Sequence, residues 1–134
     1  MDGPVEFTAI QRVSLFCLLC VAVLPLSLIH IFSGMCEHFP ATYEGADLKS
    51  PHVGWNSLEQ IRPDSRLLRG VADGAFVYFT HSWRAPVVQE TAAVTNYGGA
   101  FTAALERENV MGVQFHPEKS ADVGLRVLRN FVEL

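Results

Sequence analysis

Histidine and glutamate stand two residues apart in His116-Pro117-Glu118, directly after the apolar run Val110-Met111-Gly112-Val113-Gln114-Phe115. In extended backbone, residues i and i+2 point to the same side, so this imidazole and this carboxylate can face one another. Pro117 fixes its own φ, offers no N–H, and biases His116 toward β or polyproline geometry. A carboxylate that takes the Nδ1 proton leaves the other ring nitrogen as a base toward an incoming thiol. Those are the base and the orienter of a nucleophile–base–orienter triad. The spacing alone also fits a plainer reading, a strand-end His with a solvated Glu beside it.

A nucleophile to complete the triad is not recognisable. A reactive cysteine in a strained strand-to-helix turn needs small residues on both sides. Cys36 is followed by Glu37-His38-Phe39, bulky and partly anionic, which raises a thiol pKa rather than lowering it. Cys17 and Cys20 have CxxC spacing, yet they sit in an apolar run without neighbouring His or charge and read as packing. His38 and His52 are bases on paper, but neither has a carboxylate at orienting spacing. The chain reads as the back half of an enzyme.

The segment Gly112 to Ser120 (GVQFHPEKS) resembles the His/Glu motif of class I, triad-type glutamine amidotransferases. Pro51 to Asn56 (PHVGWN), Tyr78 to Trp83 (YFTHSW), Asn96-Tyr97-Gly98 and the tail Val123 to Phe131 narrow the likeness. Together they are similar to the glutaminase subunits of imidazole glycerol phosphate synthases, over roughly Ser33 to Leu134. The resemblance implies glutamine hydrolysis, with ammonia passed to a cyclase subunit in a cytoplasmic heterodimer of histidine biosynthesis, and no cofactor or metal. It makes His116 the base and Glu118 its orienter. It places His81, Ser82 and Trp83 along the glutamine pocket, where Trp83 replaces a family Tyr and lacks its hydroxyl. It puts Trp55, Asn56 and Lys119 at the face that docks the synthase. Taken without the resemblance, Trp55 fits a loop residue covering a core edge, and Lys119 a solvated turn lysine.

The family's Gly-x-Cys-x-Gly turn does not occur in these 134 residues, so the chain is expected to show no glutaminase activity by itself. Two other readings stand beside this one. The first is a fragment of another class I amidotransferase, against which the Pro51–Asn56 motif counts. The second is a membrane-tethered, non-catalytic protein in which residues 13–32 span a bilayer and 33–134 only bind a partner.

The elements that must position the pair belong to an α/β fold: the C-terminal half of a class I glutamine amidotransferase-like domain, with a mixed sheet and a C-terminal helix. Residues 33–134 form that partial domain, and residues 1–32 are a separate apolar segment expected to be helical. Val13 to Phe32 contains no Asp, Glu, Lys or Arg over twenty residues, which meets the length of a membrane span. Pro25, His30 and the lack of basic flanks beyond Arg12 count against a span. Asp2 and Glu6 count against a signal peptide. Leu26 to Ile31 (LSLIHI) matches one frame of a common sequencing adapter, and residues 1 to about 31 are read as an assembly artefact joined to a genuine gene fragment.

Composition is that of an ordinary domain, 49% hydrophobic and 18% charged with net charge −4, and no basic stripe invites nucleic acid. The punctuation predicts an edge strand over 35–43, a strand over 49–55 leading into a loop, and a short helix over 64–69. A buried strand follows over 75–83, then a hairpin of 91–95 and 101–107 turned by Asn96-Tyr97-Gly98-Gly99. Strand 110–115 carries the His-Pro-Glu turn. In the last helix Ser120 or Asp122 is the cap, Val123, Val127, Leu128 and Phe131 make an apolar stripe, and Arg126, Arg129 and Asn130 take the other face.

Overall fold

The computed structural model describes residues 14–17 and 34–134. In chain order the strands are β1 (Ser14–Cys17), β2 (Glu37–His38), β3 (Thr42–Tyr43), β4 (Ala46–Asp47), β5 (His52–Ser57), β6 (Phe76–His81), β7 (Trp83–Arg84), β8 (Thr91–Asn96), β9 (Ala100–Arg107) and β10 (Val110–Val113). A 3-10 turn at Pro117–Lys119 leads into α1 (Ala121–Val132). Among the described residues, no helix is long and apolar enough to cross a membrane.

The β8–β9 hairpin forms because Gly98 and Gly99 take left-handed φ values of 58° and 104°, which the tight turn requires. A side chain at Gly98 would also strike Leu48, 2.2 Å from its Cβ position. From that hairpin the sheet grows in the order β1-β10-β9-β8, antiparallel except for β1, which runs parallel to β10. The sheet is therefore mixed, as expected. β9 is buried from Phe101 to Glu106, and its small residues Ala103 and Ala104 let other layers approach closely.

A second pair, β5 and β6, packs against this sheet. Its register sets His52 opposite His81 and Trp55 opposite Tyr78. Alternation sends Val77, Phe79 and His81 inward, while Val53, Trp55 and Phe76 stay more than half exposed. Phe79, Phe101 and Phe115 meet edge to face in the shared core, with centroids 5.8 and 6.1 Å apart. Each such fully buried ring contributes about 2 kcal/mol of transfer free energy.

Several local expectations change; the strand expected over 75–83, for one, is split into β6 and β7, which pair with β5 and β2 respectively. The described part of the apolar segment, Ser14–Cys17, is a strand and not a helix, because β10 offers it an open edge; the rest of that segment lies outside the described residues. The 35–43 edge strand is broken into β2 and β3, since Pro40 cannot donate to a ladder and Glu44-Gly45 turn the chain with φ values of 51° and 82°. The 64–69 helix does not form. The buried carboxylate of Glu106 takes the N–H groups of Arg66 and Leu67, and the chain makes a series of short turns instead. Asn130 lies on the buried side of α1, where its amide donates to Leu67 O at 2.9 Å and Arg69 O at 2.8 Å. Of the expected stripe, Val127 is buried and Val123 and Phe131 pack at the core margin, while Leu128 does not join the core cluster.

Candidate functional site

Beyond β10 the chain changes partners. Gln114 N–H still donates to Ala103 O on β9, but His116 N–H donates to Tyr78 O on β6. His116 thus sits where the four-stranded sheet hands over to the β5–β6 pair. Its backbone is extended, φ −94° and ψ 102°, as a residue before proline should be. Ser120 fastens the turn from behind: its hydroxyl donates to His116 O at 2.6 Å and accepts from Tyr78 N–H at 2.9 Å. Gly124 lets α1 lie against the turn, because a Cβ there would be 1.8 Å from Pro117 O. Sequence reasoning named Ser120 only as a cap and gave Gly124 no role. A glycine in the first turn of an otherwise good helix was the available signal.

The expected pair is assembled. His116 Nδ1 lies 2.8 Å from Glu118 Oε1. An ionised carboxylate only accepts, so Nδ1 carries the hydrogen, and in the neutral ring Nε2 keeps a lone pair. Nε2 is buried and has no hydrogen-bond partner among the described residues. The Glu118 side chain is 60% exposed while that of His116 is 17% exposed. Partial burial raises the Glu118 carboxyl, but its own backbone N–H, His116 and Lys119 outweigh this and hold it below the usual carboxylate range. The carboxylate can therefore polarise a ring whose other nitrogen is left without a partner among the described residues.

The residues expected along a glutamine pocket are split. His81 is buried, with Nδ1–H donating to Trp83 O at 2.8 Å and Nε2 lying 2.9 Å from His52 Nδ1. Both ring nitrogens are therefore occupied within the protein. Desolvation, with a smaller effect of the neighbouring His116, pushes His81 down to about 4 despite the Trp83 bond, which acts the other way. Desolvation and His81 likewise push His52 down to about 4. Ser82 is half-buried and its carbonyl accepts from Phe39 N–H. Trp83 is half exposed and meets the His38 ring edge-on at 5.4 Å.

Two of the three residues expected at a docking face come together on the outer side of β5–β6. Trp55 packs edge to face on Tyr78 with centroids 6.0 Å apart, and Lys119 Nζ stands 5.8 Å above the same Tyr78 ring. The third, Asn56, turns its amide inward. Its Oδ1 accepts from Ser57 N–H at 2.8 Å, and its Nδ2 donates to Asn96 O at 3.0 Å and approaches His52 Nε2 at 3.4 Å. Asn56 also lies within β5, not in the loop expected after residue 55. Burial raises the Cys36 thiol, the opposite of what a nucleophile needs. Among the described residues, no group of three or more His, Cys, Asp or Glu is placed to hold a metal ion.

The family description "Glutamine amidotransferase class-I" matches residues 28–134. Imidazole glycerol phosphate synthase subunit HisH of Pectobacterium atrosepticum is 52% identical over 89 residues, covering 65% of this chain and 44% of that protein. The subunit of the same name from Shewanella oneidensis is 41% identical over 117 residues, 86% of this chain and 50% of that protein. The chain spans about half the length of these curated relatives. A solved glutamine amidotransferase from Thermotoga maritima shares the fold at a TM-score of 0.50 and 16% identity, over 79% of this chain and 42% of that one. With its His-Pro-Glu turn seated between the two sheets and a family match over most of its length, this chain belongs to the class I glutamine amidotransferases.

Proposed function

We propose that the chain carries the base-and-orienter half of a glutaminase site that supplies ammonia to an imidazole glycerol phosphate synthase. The observation that supports this most directly is the His116 Nδ1 to Glu118 Oε1 contact of 2.8 Å, combined with a buried Nε2 that has no described partner. In this reading Nε2 takes the proton of a cysteine thiol, and the thiolate attacks the glutamine side-chain amide. A carbon–sulfur bond forms and the carbon–nitrogen bond breaks, with the proton on Nε2 going to the departing ammonia. Water then hydrolyses the thioester to glutamate, with His116 again as base. Glu118 stays ionised throughout and steadies the imidazolium. The thiol and the oxyanion-binding N–H groups come from a Gly-x-Cys-x-Gly turn, a run that these 134 residues do not contain.

Docking of a cyclase subunit is assigned to the outer face of β5–β6. Val53, Trp55 and Phe76 are exposed there beside Tyr78 and Lys119, and large aromatics are frequent at interface centres. Cytoplasmic residence and histidine biosynthesis belong to the same reading. The test is a fusion of residues 34–134 behind the nucleophile-bearing half of the Pectobacterium atrosepticum subunit, paired with the synthase of that bacterium. Glutamine turnover is expected in the fusion, falling about 10³-fold in His116→Ala. The unfused 134-residue chain should release no ammonia. Turnover by the unfused chain, or a fusion indifferent to His116→Ala, would overturn the assignment.

A further inference from the structure

The Asn56, His52 and His81 side chains form a file of hydrogen bonds whose direction is set at both ends by backbone groups. At one end Ser57 N–H donates to Asn56 Oδ1, which fixes the amide so that Nδ2 faces Asn96 O and His52 Nε2. An amide nitrogen only donates, so His52 Nε2 must accept, and the hydrogen of a neutral His52 ring must sit on Nδ1. At the other end the Trp83 carbonyl only accepts, so His81 carries its hydrogen on Nδ1 and leaves Nε2 bare. The 2.9 Å contact in the middle is then His52 Nδ1–H donating to His81 Nε2. Every step agrees with its neighbours. The rings around it leave little room for another arrangement: His52 is stacked between Tyr97 at 4.0 Å and Phe79 at 4.8 Å.

We propose that His52 and Asn56 are positioning residues, which lock His81 as a neutral ring with no free nitrogen and so leave His116 as the one imidazole of this cluster able to take a proton. The consequence is electrostatic. A catalytic imidazolium at His116 needs the Glu118 carboxylate on one side and no second positive charge on the other. His81 is the ring whose charge His116 would feel, and the hydrogen bond donated by His52 Nδ1–H occupies the nitrogen that would otherwise protonate. Burial acts in the same direction, since both rings are held neutral well below their ordinary range. This inference rests on the reading of His116 as the base, but its test needs no substrate.

The experiment is ring-nitrogen NMR on the 15N-labelled 134-residue chain near neutral pH, with each histidine identified by substitution. Free histidine favours the Nε2–H tautomer; His52 and His81 are both expected as Nδ1–H. Finding either one as Nε2–H, or as an imidazolium, overturns the proposal. Asn56→Asp supplies the second measurement, because a carboxylate facing His52 Nε2 asks that atom to donate. His52 should then hold hydrogen on both nitrogens, and a spectrum unchanged from the parent would sink the claimed direction. The wild-type spectrum decides the tautomers even where the variant fails to fold. Ammonia release by the fusion protein is a separate readout, so an error in the role of His116 and an error in the tautomers show up independently.

Discussion

The protein holds two histidine pairs built from the same ring and put to opposite ends. In His116–Glu118 the partner is an exposed carboxylate two residues away, and the pair is suited to carrying a positive charge on the ring. In His52–His81 the partner is another imidazole across a strand pair, both rings are buried, and charge is excluded from both. The ring is identical, so the difference comes from the partner and from access to water. A histidine in a sequence does not declare a base. Its neighbours in space decide whether it takes a proton at all.

Acid should separate the two pairs most sharply. His52 and His81 ionise near 6.5 when unfolded and near 4 when folded, so the unfolded chain binds protons first. Stability from this pair is full above about 6.5 and is lost progressively down to about 4, by several kcal/mol. Glu118 has the opposite sign of shift relative to charge: its contribution is present above its ordinary 4.5 and is lost only as pH falls through its lower folded value. Urea unfolding as a function of pH should therefore show its main loss in the histidine window. A flat profile between 6.5 and 4 would contradict the neutral pair.

Next in size is Gly124→Val. The Cβ position 1.8 Å from Pro117 O forces helix or turn to move, and a destabilisation of about 3 kcal/mol is expected in denaturant titration. Ser120→Ala should cost about 2 kcal/mol, because Tyr78 N–H loses its acceptor in a partly buried setting. Its amide exchange should quicken at Tyr78 before it does in the β8–β9 hairpin. Smallest is Glu118→Gln, expected to change stability by about 0.5 kcal/mol or less because the carboxylate is solvated. In the fusion protein it should nevertheless slow glutamine turnover markedly. A large stability loss there would mean that the pair serves the fold rather than the chemistry.

The legibility of each feature follows its range along the chain. The β8–β9 hairpin could be read because two glycines set its turn locally. The His116–Glu118 pair could be read from its spacing, but the extended backbone expected to make the two face one another is instead a 3-10 turn over Pro117–Lys119. The helix expected at 64–69 failed because Glu106, about forty residues on, captured its N–H groups. Asn130 was placed outward by polarity alone, yet two carbonyls of the 67–69 turn drew it inward. Asn56, expected at a docking face, is turned in toward His52 for the same kind of reason: the acceptors that its amide nitrogen faces are 4 and 40 residues away.

By itself the sequence marked His116 and Glu118 as a candidate imidazole–carboxylate pair, since that depends on three consecutive residues; their facing is made by the 3-10 turn over Pro117–Lys119. Tertiary structure alone decided which of these histidines keeps an unpartnered ring nitrogen among the described residues. That choice depends on a strand register bringing His52 to His81 across 29 residues, and on burial making a second charge too costly beside the first.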